Sequence, residues 1–391
     1  MRIALSLRYF GPVASADISV RPLTIFIGPN GSGKSYTAMA LYAFITGLVK
    51  AGMWPDVTCA SYVASGRGWD AWVGEQRTLA TQILEGEFAR IFGTGLKELT
   101  TKGASSTEIS LRVRRSEGIY RYVYRWPPAN LQVEIPRCSK PELRKSLAHY
   151  WLLGFLQPVV YLPSSRSGLV QTYSFYVDLL LRMAEEVPIR GAGFQGLPGV
   201  VGDFLRLLIK PFKSESQLYT RFRDRVGIDV ERRERSIVVR DARYESDVRS
   251  APSGYAELAP LGLLLRYGVL KRGVLAVVEE PEAHIHPDMQ VKVADLLADL
   301  AAEGIYFIIT THSDYILNRI GNIIRRAESR LKQNKVSVYV FKRADGGFAA
   351  QRLKTGPEGI PDDEFAKVYE ELYREHIDLL YAYSEGRKLQ S

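Results

Sequence analysis

The stretch Gly28-Pro29-Asn30-Gly31-Ser32-Gly33-Lys34-Ser35 decides the fold of this chain. It follows the pattern G-x-x-x-x-G-K-[ST], which is typical of a loop that binds phosphate groups. Its glycines let the backbone curl so that successive N–H groups point at phosphate oxygens, and the N-terminal end of the next helix adds a positive field. An apolar strand from Leu23 to Ile27 precedes the loop and a helical stretch follows it, which is the order that such a loop requires.

The loop therefore provides the first candidate site. Lys34 is placed to reach the β- and γ-phosphates of a nucleotide, and the Ser35 hydroxyl to ligate Mg²⁺. The other expected nucleotide contacts are Gly28, Pro29, Asn30, Gly31, Ser32, Gly33 and Tyr36. The strand and helix on either side disfavour the alternative, a chance glycine loop.

The composition is that of an ordinary globular protein. The chain has 391 residues, 46% hydrophobic and 24% charged, enough for one large domain or two smaller ones. The net charge of +9 permits an acidic partner such as nucleic acid without requiring one. The two cysteines, Cys59 and Cys138, lie far apart without metal-ligand spacing, and they predict neither a disulfide framework nor a zinc site.

The sequence contains no targeting signal that we recognise. Its first residues are too few and too charged for a signal peptide, and apolar runs such as Leu258 to Leu265 fall short of the ~20 residues that span a bilayer. We therefore expect a cytoplasmic protein without membrane contact.

Strands and helices alternate along much of the chain, which predicts an α/β fold with a parallel, helix-covered sheet. Besides 23–27, the predicted strands are 3–7, 16–20, a hairpin over 109–126, 159–162, 228–230, 236–239, 274–278, 305–310, 337–341 and 349–353. The predicted helices include 75–93, 142–155, 288–300, 314–331 and 362–383, with loop around Trp54-Pro55 and a Gly/Pro-rich linker over 188–202.

Two carboxylates follow a buried strand in the stretch VLAVVEEPE, residues 274–282. Ligands of open α/β sheets bind beyond the carboxyl ends of the strands, so these side chains are placed to meet a nucleotide. Glu279 is assigned to Mg²⁺ and Glu280 to the general base that polarises the attacking water. For this pair alone, an acidic helix cap after a buried strand is an equal alternative.

Two further segments provide candidate phosphate contacts, one after a predicted strand and one before a predicted helix. His312 follows a second buried strand, where an imidazole is placed to hydrogen-bond a γ-phosphate. A structural histidine is the alternative, but the spacing behind Glu280, one helix and one strand, favours the functional interpretation. Ser253 and Gly254 precede a helix and form an anion-binding corner, for which a plain N-cap is the simpler alternative.

Together and in this order, the four motifs resemble those of ABC-type ATPase heads, in particular the AAA-type ATPases grouped with the SMC, RecF and OLD proteins. GPNGSGKS is similar to their Walker A motif, and LAVVEEPEAHIHP to their Walker B motif and D-loop. SGYAEL occupies the place of the ABC signature, TTHSDYIL looks like the switch-histidine segment, and YFGPVASADISVRPLTIFIGPN looks like the opening hairpin. We find no long coiled coil, and the 78 residues after Ser313 are too few for a TOPRIM nuclease domain.

The resemblance implies an α/β P-loop NTPase: an ABC-ATPase-like head with a mixed or parallel central sheet, an antiparallel β-subdomain and a helical lobe. The nucleotide-binding lobe would comprise residues 1–163 and 258–391, with an insertion at about 52–130, and the helical lobe residues 164–257. The chain departs from the pattern at Glu279, where the wider group has aspartate, and at Tyr255 of the signature. It has no evident Q-loop glutamine, and YLPSSRSGL in that place would bring Ser164, Ser165 or Arg166 near the nucleotide.

The resemblance also implies a mechanism that needs two copies. Two heads would close around two ATP molecules with Mg²⁺, and Ser253 and Gly254 of one copy would cover the γ-phosphate held by Lys34, Glu280 and His312 of the other. ATP would favour the closed pair, and hydrolysis would let it open. We therefore expect an ATP-dependent homodimeric ATPase that acts on DNA or, more in keeping with the motifs, regulates a separately encoded effector such as a nuclease or toxin.

Three other functions stay open on the sequence alone: an ATP-gated clamp with negligible turnover, the nucleotide-binding subunit of a transporter, and a small-molecule kinase. Tyr255 argues against the transporter, and Ser253 and His312 argue against the kinase. The hairpin arginines and tyrosines allow contact with a nucleic-acid backbone, for which a solvated surface is the alternative. The arginines are Arg112, Arg114, Arg115, Arg121 and Arg125.

Overall fold

A computed structural model of the chain describes residues 2–138, 159–173, 175–176, 199–209, 216–233, 236–361 and 363–384. The strands in these residues are β1 (Arg2–Phe10), β2 (Val13–Val20), β3 (Leu23–Ile27), β4 (Thr107–Arg115), β5 (Gly118–Trp126), β6 (Asn130–Glu134), β7 (Val159–Leu162), β8 (Asp229–Arg233), β9 (Ser236–Arg240), β10 (Glu245–Asp247), β11 (Leu275–Glu279), β12 (Tyr306–Thr310), β13 (Val336–Ala344) and β14 (Gly347–Leu353). Eleven of them form one mixed sheet in the order β6-β5-β4-β1-β2-β14-β13-β3-β12-β11-β7, and β10-β9-β8 form a small antiparallel sheet.

The α-helices in the described residues lie between these strands and after the last one. They are α1 (Lys34–Lys50), α2 (Pro55–Ser65), α3 (Trp69–Phe92), α4 (Leu96–Leu99), α5 (Arg166–Gln171), α6 (Gly199–Ile209), α7 (Leu218–Val226), α8 (Ser253–Arg266), α9 (Pro287–Ala302), α10 (Asp314–Arg325) and α11 (Asp363–Ser384). Apart from residues 363–368, 382 and 384, whose side chains are not described, the side chains of α11 are mostly exposed to solvent.

The parallel half of the large sheet carries the candidate site. Strands β13, β3, β12, β11 and β7 lie side by side, and each neighbouring pair is parallel. Strands β3 and β11 are buried along their whole length, with an apolar cluster on each face of the sheet, as expected for parallel strands covered by helices. Because parallel strands end at the same edge, the segments that follow β3, β11 and β12 meet there.

The antiparallel half continues the same sheet. Strand β14 pairs antiparallel with β13 and parallel with β2, and from there β2, β1, β4, β5 and β6 pair antiparallel in turn. Side chains alternate between the two faces, so Tyr120, Tyr122 and Tyr124 are buried, while the hairpin arginines other than Arg115 lie on the other face. The tyrosines are therefore not free to stack on nucleic-acid bases. Arg121 pairs with Glu134, and two further hairpin arginines also have acidic partners.

Within the described part of the chain, one helical stretch, Lys34–Ser65, is long and apolar enough to cross a membrane by length and composition alone. It comprises α1 and α2, and 78% of its apolar window is buried inside the fold. Its composition therefore reflects a core helix that packs beneath the sheet, against β7, β11 and β12.

Three local predictions were wrong. Helix α2 replaces the loop expected after Trp54, because Pro55 occupies the first turn, where proline starts a helix rather than breaking it. Helix α10 ends at Arg325, before the predicted residue 331. Cys59 and Cys138 form a disulfide, since the return of the chain through β6 brings them together across 79 residues. The helix predicted at 142–155 lies outside the described residues, as does most of the linker.

Candidate nucleotide-binding site

The loop between β3 and α1 has the backbone geometry of a phosphate cradle. Gly28, Gly31 and Gly33 have φ angles of 136°, 72° and 96°, a region that residues with side chains rarely adopt. A Cβ at Gly28 would lie 2.7 Å from the carbonyl oxygen of Phe341, and one at Gly33 would lie 2.3 Å from Cγ2 of Val13. Glycine is therefore required at two of these positions by both conformation and space.

Lys34, the first residue of α1, is folded back over the loop. Its Nζ donates hydrogen bonds to the carbonyl oxygens of Gly28 at 2.8 Å and Pro29 at 2.9 Å. Burial lowers the pKa of Lys34, and the nearby Glu280 and Glu282 oppose that shift. Both carboxylates therefore lie close enough to Lys34 to interact with its charge.

The hydroxyl of Ser32 in this loop lacks a hydrogen-bond partner among the described residues. Its Oγ is buried. Buried hydroxyls are nearly always hydrogen-bonded, so the unpaired Ser32 hydroxyl is consistent with a loop that binds an anionic oxygen.

Glu279 ends β11 on the side of its neighbour β7. Its side chain is buried, and Oε2 accepts a hydrogen bond from the backbone N–H of Ser164 at 3.3 Å. Burial and the charge of Glu279 raise the pKa of Tyr161 well above its usual value. The segment after β7 therefore contacts the end of β11 through Ser164, while Ser165 is exposed.

Glu280 is held in an unusual backbone conformation. Its φ is +41°, in the left-handed region that non-glycine residues rarely occupy, and its N–H donates to the carbonyl oxygen of Thr310 at 2.8 Å. Non-glycine residues in the left-handed region cost free energy, and they are concentrated at functional sites. The turn directs the chain away from the sheet at the residue that the sequence analysis assigns as general base.

Glu282 is a member of the site that the sequence analysis did not single out. Its Oε1 accepts a hydrogen bond from the backbone N–H of His312 at 2.6 Å, whereas Oε2 is buried beside Thr311 without a well-aligned partner among the described residues. Burial raises the pKa of this carboxyl. Its position as the third glutamate of Glu-Glu-Pro-Glu was the available signal, because the turn at Pro281 brings it back to the strand edge.

His312 follows β12 at the same edge. Its pKa is lowered by burial first and by the charge of Lys34 second, while Glu280 opposes the shift. The neutral imidazole is therefore favoured near pH 7. Lys34, Glu280, Glu282 and His312 form one electrostatically coupled group, which we call the edge cluster.

Arg166 lies behind this cluster rather than in it. Its guanidinium is 2% exposed and donates to the carbonyl oxygens of Pro163, Glu257, Glu279 and Glu280. It also forms an ion pair with the carboxylate of Glu257, which is fully buried. Burial raises the pKa of Glu257, and the charge of Arg166 opposes that shift.

Ser253 and Gly254 begin α8, away from the edge cluster. Ser253 is exposed, and no described interaction joins it to Lys34. A Cβ at Gly254 would lie 3.3 Å from Cγ2 of Ile285 and 3.4 Å from the carbonyl oxygen of His284, so the start of α8 packs on the loop after Glu282. The hydroxyl is thus presented to solvent next to that loop.

The described residues contain no group of three or more His, Cys, Asp or Glu side chains placed to hold a metal ion. A preformed metal cage is not what a P-loop site requires, because Mg²⁺ there is held by one or two protein oxygens, the phosphates and water. Ser35 and Glu279 supply a hydroxyl and a carboxylate of the appropriate chemistry.

Comparison with known proteins agrees with this geometry. A family model described as "AAA domain, putative AbiEii toxin, Type IV TA system" matches residues 23–318. The chain belongs to this AAA family. The match begins at the strand before the phosphate loop and ends just after His312, so it contains every residue of the edge cluster.

The solved structures similar to this AAA-family chain include several SMC heads. The SMC head bound to the C-winged helix domain of ScpA has a TM-score of 0.52 and 14% identity, covering 90% of this chain and 98% of that one. The SMC head domain from Thermotoga maritima has a TM-score of 0.46 and 13% identity, covering 91% and 100%. No curated protein matches the chain. The family match and the first structure confirm the expected α/β P-loop NTPase fold of the SMC-head kind.

Proposed function

We propose that this protein is an ATPase that closes as a homodimer around two ATP molecules and opens after hydrolysis. The observation that carries the proposal is the edge cluster, in which a phosphate-loop lysine, two carboxylates and an imidazole interact at one edge of a parallel sheet. Sites that perturb several titratable groups in this way are characteristic of catalysis rather than of packing.

Each group has a role that follows from its position. The loop from Gly28 to Tyr36 binds the triphosphate through its N–H groups, and Lys34 moves from the loop carbonyls to the β- and γ-phosphates. Ser35 and Glu279 would hold Mg²⁺, which would neutralise charge on the phosphates. The neutral His312 donates a hydrogen bond to a γ-phosphate oxygen.

Glu280 carries the chemical step. Its carboxylate accepts a proton from water as the water oxygen bonds to the γ-phosphorus and the bond from that phosphorus to the ADP oxygen breaks. The products are ADP and inorganic phosphate. Glu282 holds the backbone of His312 in place during this step through its hydrogen bond.

The second copy follows from the position of Ser253. Its exposed hydroxyl and the backbone N–H groups of Ser253 and Gly254 form an anion-binding corner that faces solvent, so a second chain is needed to bring a γ-phosphate to it. In this proposal residues 1–163 and 258–391 form the nucleotide-binding lobe, and residues 164–257 the lobe that closes in trans.

Phosphate release by the wild type and by Glu280→Gln tests this function. We expect turnover by the wild type and about a 100-fold lower kcat in the variant, with ATP-dependent dimerisation retained. Glu328→Gln, at an exposed glutamate away from the site, is the matched control and should behave as wild type. If wild type and Glu280→Gln are equally inert while dimerisation still needs ATP, the protein is an ATP-gated clamp instead.

The biological role belongs to the same proposal. One solved SMC head is bound to a domain of ScpA, and the family description refers to a toxin system. By analogy, we propose that the closed dimer regulates a separately encoded effector or a DNA transaction in the cytoplasm. A pull-down in ATP compared with ADP tests this, since a partner of the closed state should be retained only with ATP.

A further inference from the structure

We propose that Arg166 is a positioning residue that joins the backbone of Glu280 to helix α8, so that the two halves of the composite site move together. This inference rests on the proposed function, because it assumes that Glu280 acts on one nucleotide and that Ser253 of the same chain acts on the other.

Arg166 makes four hydrogen bonds and one ion pair. Its Nε donates to the carbonyl oxygen of Glu257, Nη1 to those of Pro163 and Glu279, and Nη2 to that of Glu280. Nη2 also forms an ion pair with the Glu257 carboxylate. The four hydrogen bonds use four of the five N–H donors of the guanidinium, and the ion pair is the fifth contact. They reach three separate segments: the turn after β7, the end of β11, and α8.

The contacts at the end of β11 hold the conformation of the general base. The left-handed φ of Glu280 is unfavourable for a residue with a side chain and persists only where neighbouring groups hold it. Arg166 donates to the carbonyl oxygens of two successive peptide groups, the one that joins Glu279 to Glu280 and the one that follows Glu280. These bonds fix the direction in which the Glu280 carboxylate leaves the backbone.

The contacts with α8 connect this turn to the trans half of the site. Glu257 is one helical turn after Ser253, and Arg166 binds both its carboxylate and its carbonyl oxygen. Both side chains are almost completely buried, so the pair cannot exchange partners with water. A shift of the Glu280 backbone when a nucleotide binds is therefore transmitted to the first turn of α8.

Lysine cannot replace this arginine. An ammonium group has three donors around one atom, whereas the planar fork of a guanidinium spans two backbone carbonyls and a carboxylate at once. Arg166→Lys keeps the charge opposite Glu257 but must release at least two of the five contacts. The conservative variant therefore separates the charge of Arg166 from its positioning role.

The test measures kcat, KM for ATP and the Hill coefficient for ATP in the wild type, Arg166→Lys and Glu257→Gln. We expect kcat to fall about tenfold or more with KM unchanged within about twofold, since the interaction serves the transition state. We also expect the Hill coefficient to fall from about 2 to about 1, because the two sites lose their coupling. Arg319→Lys, which disturbs a two-pronged pair with Asp295 between α9 and α10, is the control and should change neither.

A second measurement does not depend on turnover. Hydrogen exchange of the amides of residues 253–256 is followed in dilute monomer with and without ATP and Mg²⁺. We expect ATP to change exchange at these amides in the wild type and in Arg319→Lys, but not in Arg166→Lys. Should Arg166→Lys fail to fold, Glu257→Gln, which keeps size and shape, takes its place.

The outcomes separate this inference from the proposed function. A wild type that neither hydrolyses ATP nor dimerises rejects the proposed function, and the exchange measurement then decides the role of Arg166 alone. Unchanged kcat and Hill coefficient in both variants of the Arg166–Glu257 pair, or an ATP response at residues 253–256 that survives Arg166→Lys, overturns the inference.

Discussion

Reduction of the disulfide between Cys59 and Cys138 should lower the free energy of unfolding by about 4 kcal/mol. The bond joins α2 to the segment after β6 across 79 residues, so the loop it closes contains α3 and the hairpin of β4 and β5. A cross-link over a loop of this length removes chain entropy from the unfolded state worth about 4.5 kcal/mol at 25 °C, while measured values commonly lie at about 2–4 kcal/mol.

Urea unfolding followed by tryptophan fluorescence, with and without a phosphine reductant, measures this difference. Trp72, inside the loop, and Trp54, just before Cys59, are buried and report on the unfolding of this region. The double variant Cys59→Ser/Cys138→Ser is the control: its unfolding midpoint should match that of the reduced wild type and should not respond to reductant.

The reasoning is refuted by an unfolding midpoint that is the same in both conditions. Thiol titration of the denatured, unreduced protein then tells why: two free thiols mean that the bond does not form, and none means that the chain-entropy argument is wrong here. Because most cytosols keep thiols reduced, the same titration on protein taken directly from cells also tests the expected cytoplasmic location.

Three more predictions follow from local geometry. Gly33→Ala should abolish ATP binding in a fluorescence titration, because its Cβ would lie 2.3 Å from Val13, whereas Gly31→Ala has open space and should lose only about tenfold. Glu282→Gln should stabilise the fold by about 1–3 kcal/mol at pH 8 and not at pH 4 in thermal denaturation. The sign follows from its raised pKa, since the folded carboxyl binds its proton more tightly than the unfolded one and wild-type stability falls as pH rises above about 4.5. A chain ending at Tyr369 should keep its melting temperature, because most described side chains beyond it are exposed.

The part of the site that is continuous in sequence could be predicted from sequence. The strand, loop and helix around Lys34 are adjacent along the chain, so the pattern of glycines and apolar residues specifies them directly. The ends of β11 and β12 could be placed beside the loop because parallel strands share one carboxyl edge. Glu280 and His312 were assigned to the site for that reason, and their electrostatic interaction with Lys34 agrees with the assignment.

The contacts that join distant segments could not be predicted in the same way. Arg166 reaches partners 91 and 114 residues further along the chain, and no local pattern marks an arginine that will be fully enclosed. The disulfide depends likewise on the path of the chain through α3 and the hairpin. The loop prediction at Pro55 was wrong because proline is common both in loops and at the first position of helices. The sequence does not distinguish these two cases, and the packing of Trp54 and Val57 in the core favours the helix.

The balance of charge at the strand edge limits how a triphosphate can bind. The charged side chains there are Lys34, Glu279, Glu280 and Glu282, and Arg166 behind them is already committed to Glu257 and the backbone. With His312 favoured in its neutral form, a triphosphate would meet net negative charge at short range. Burial raises the pKa of Glu282 and so lessens this charge, but only in part. The proposed function therefore requires Mg²⁺ for nucleotide binding itself, and not for the hydrolytic step alone.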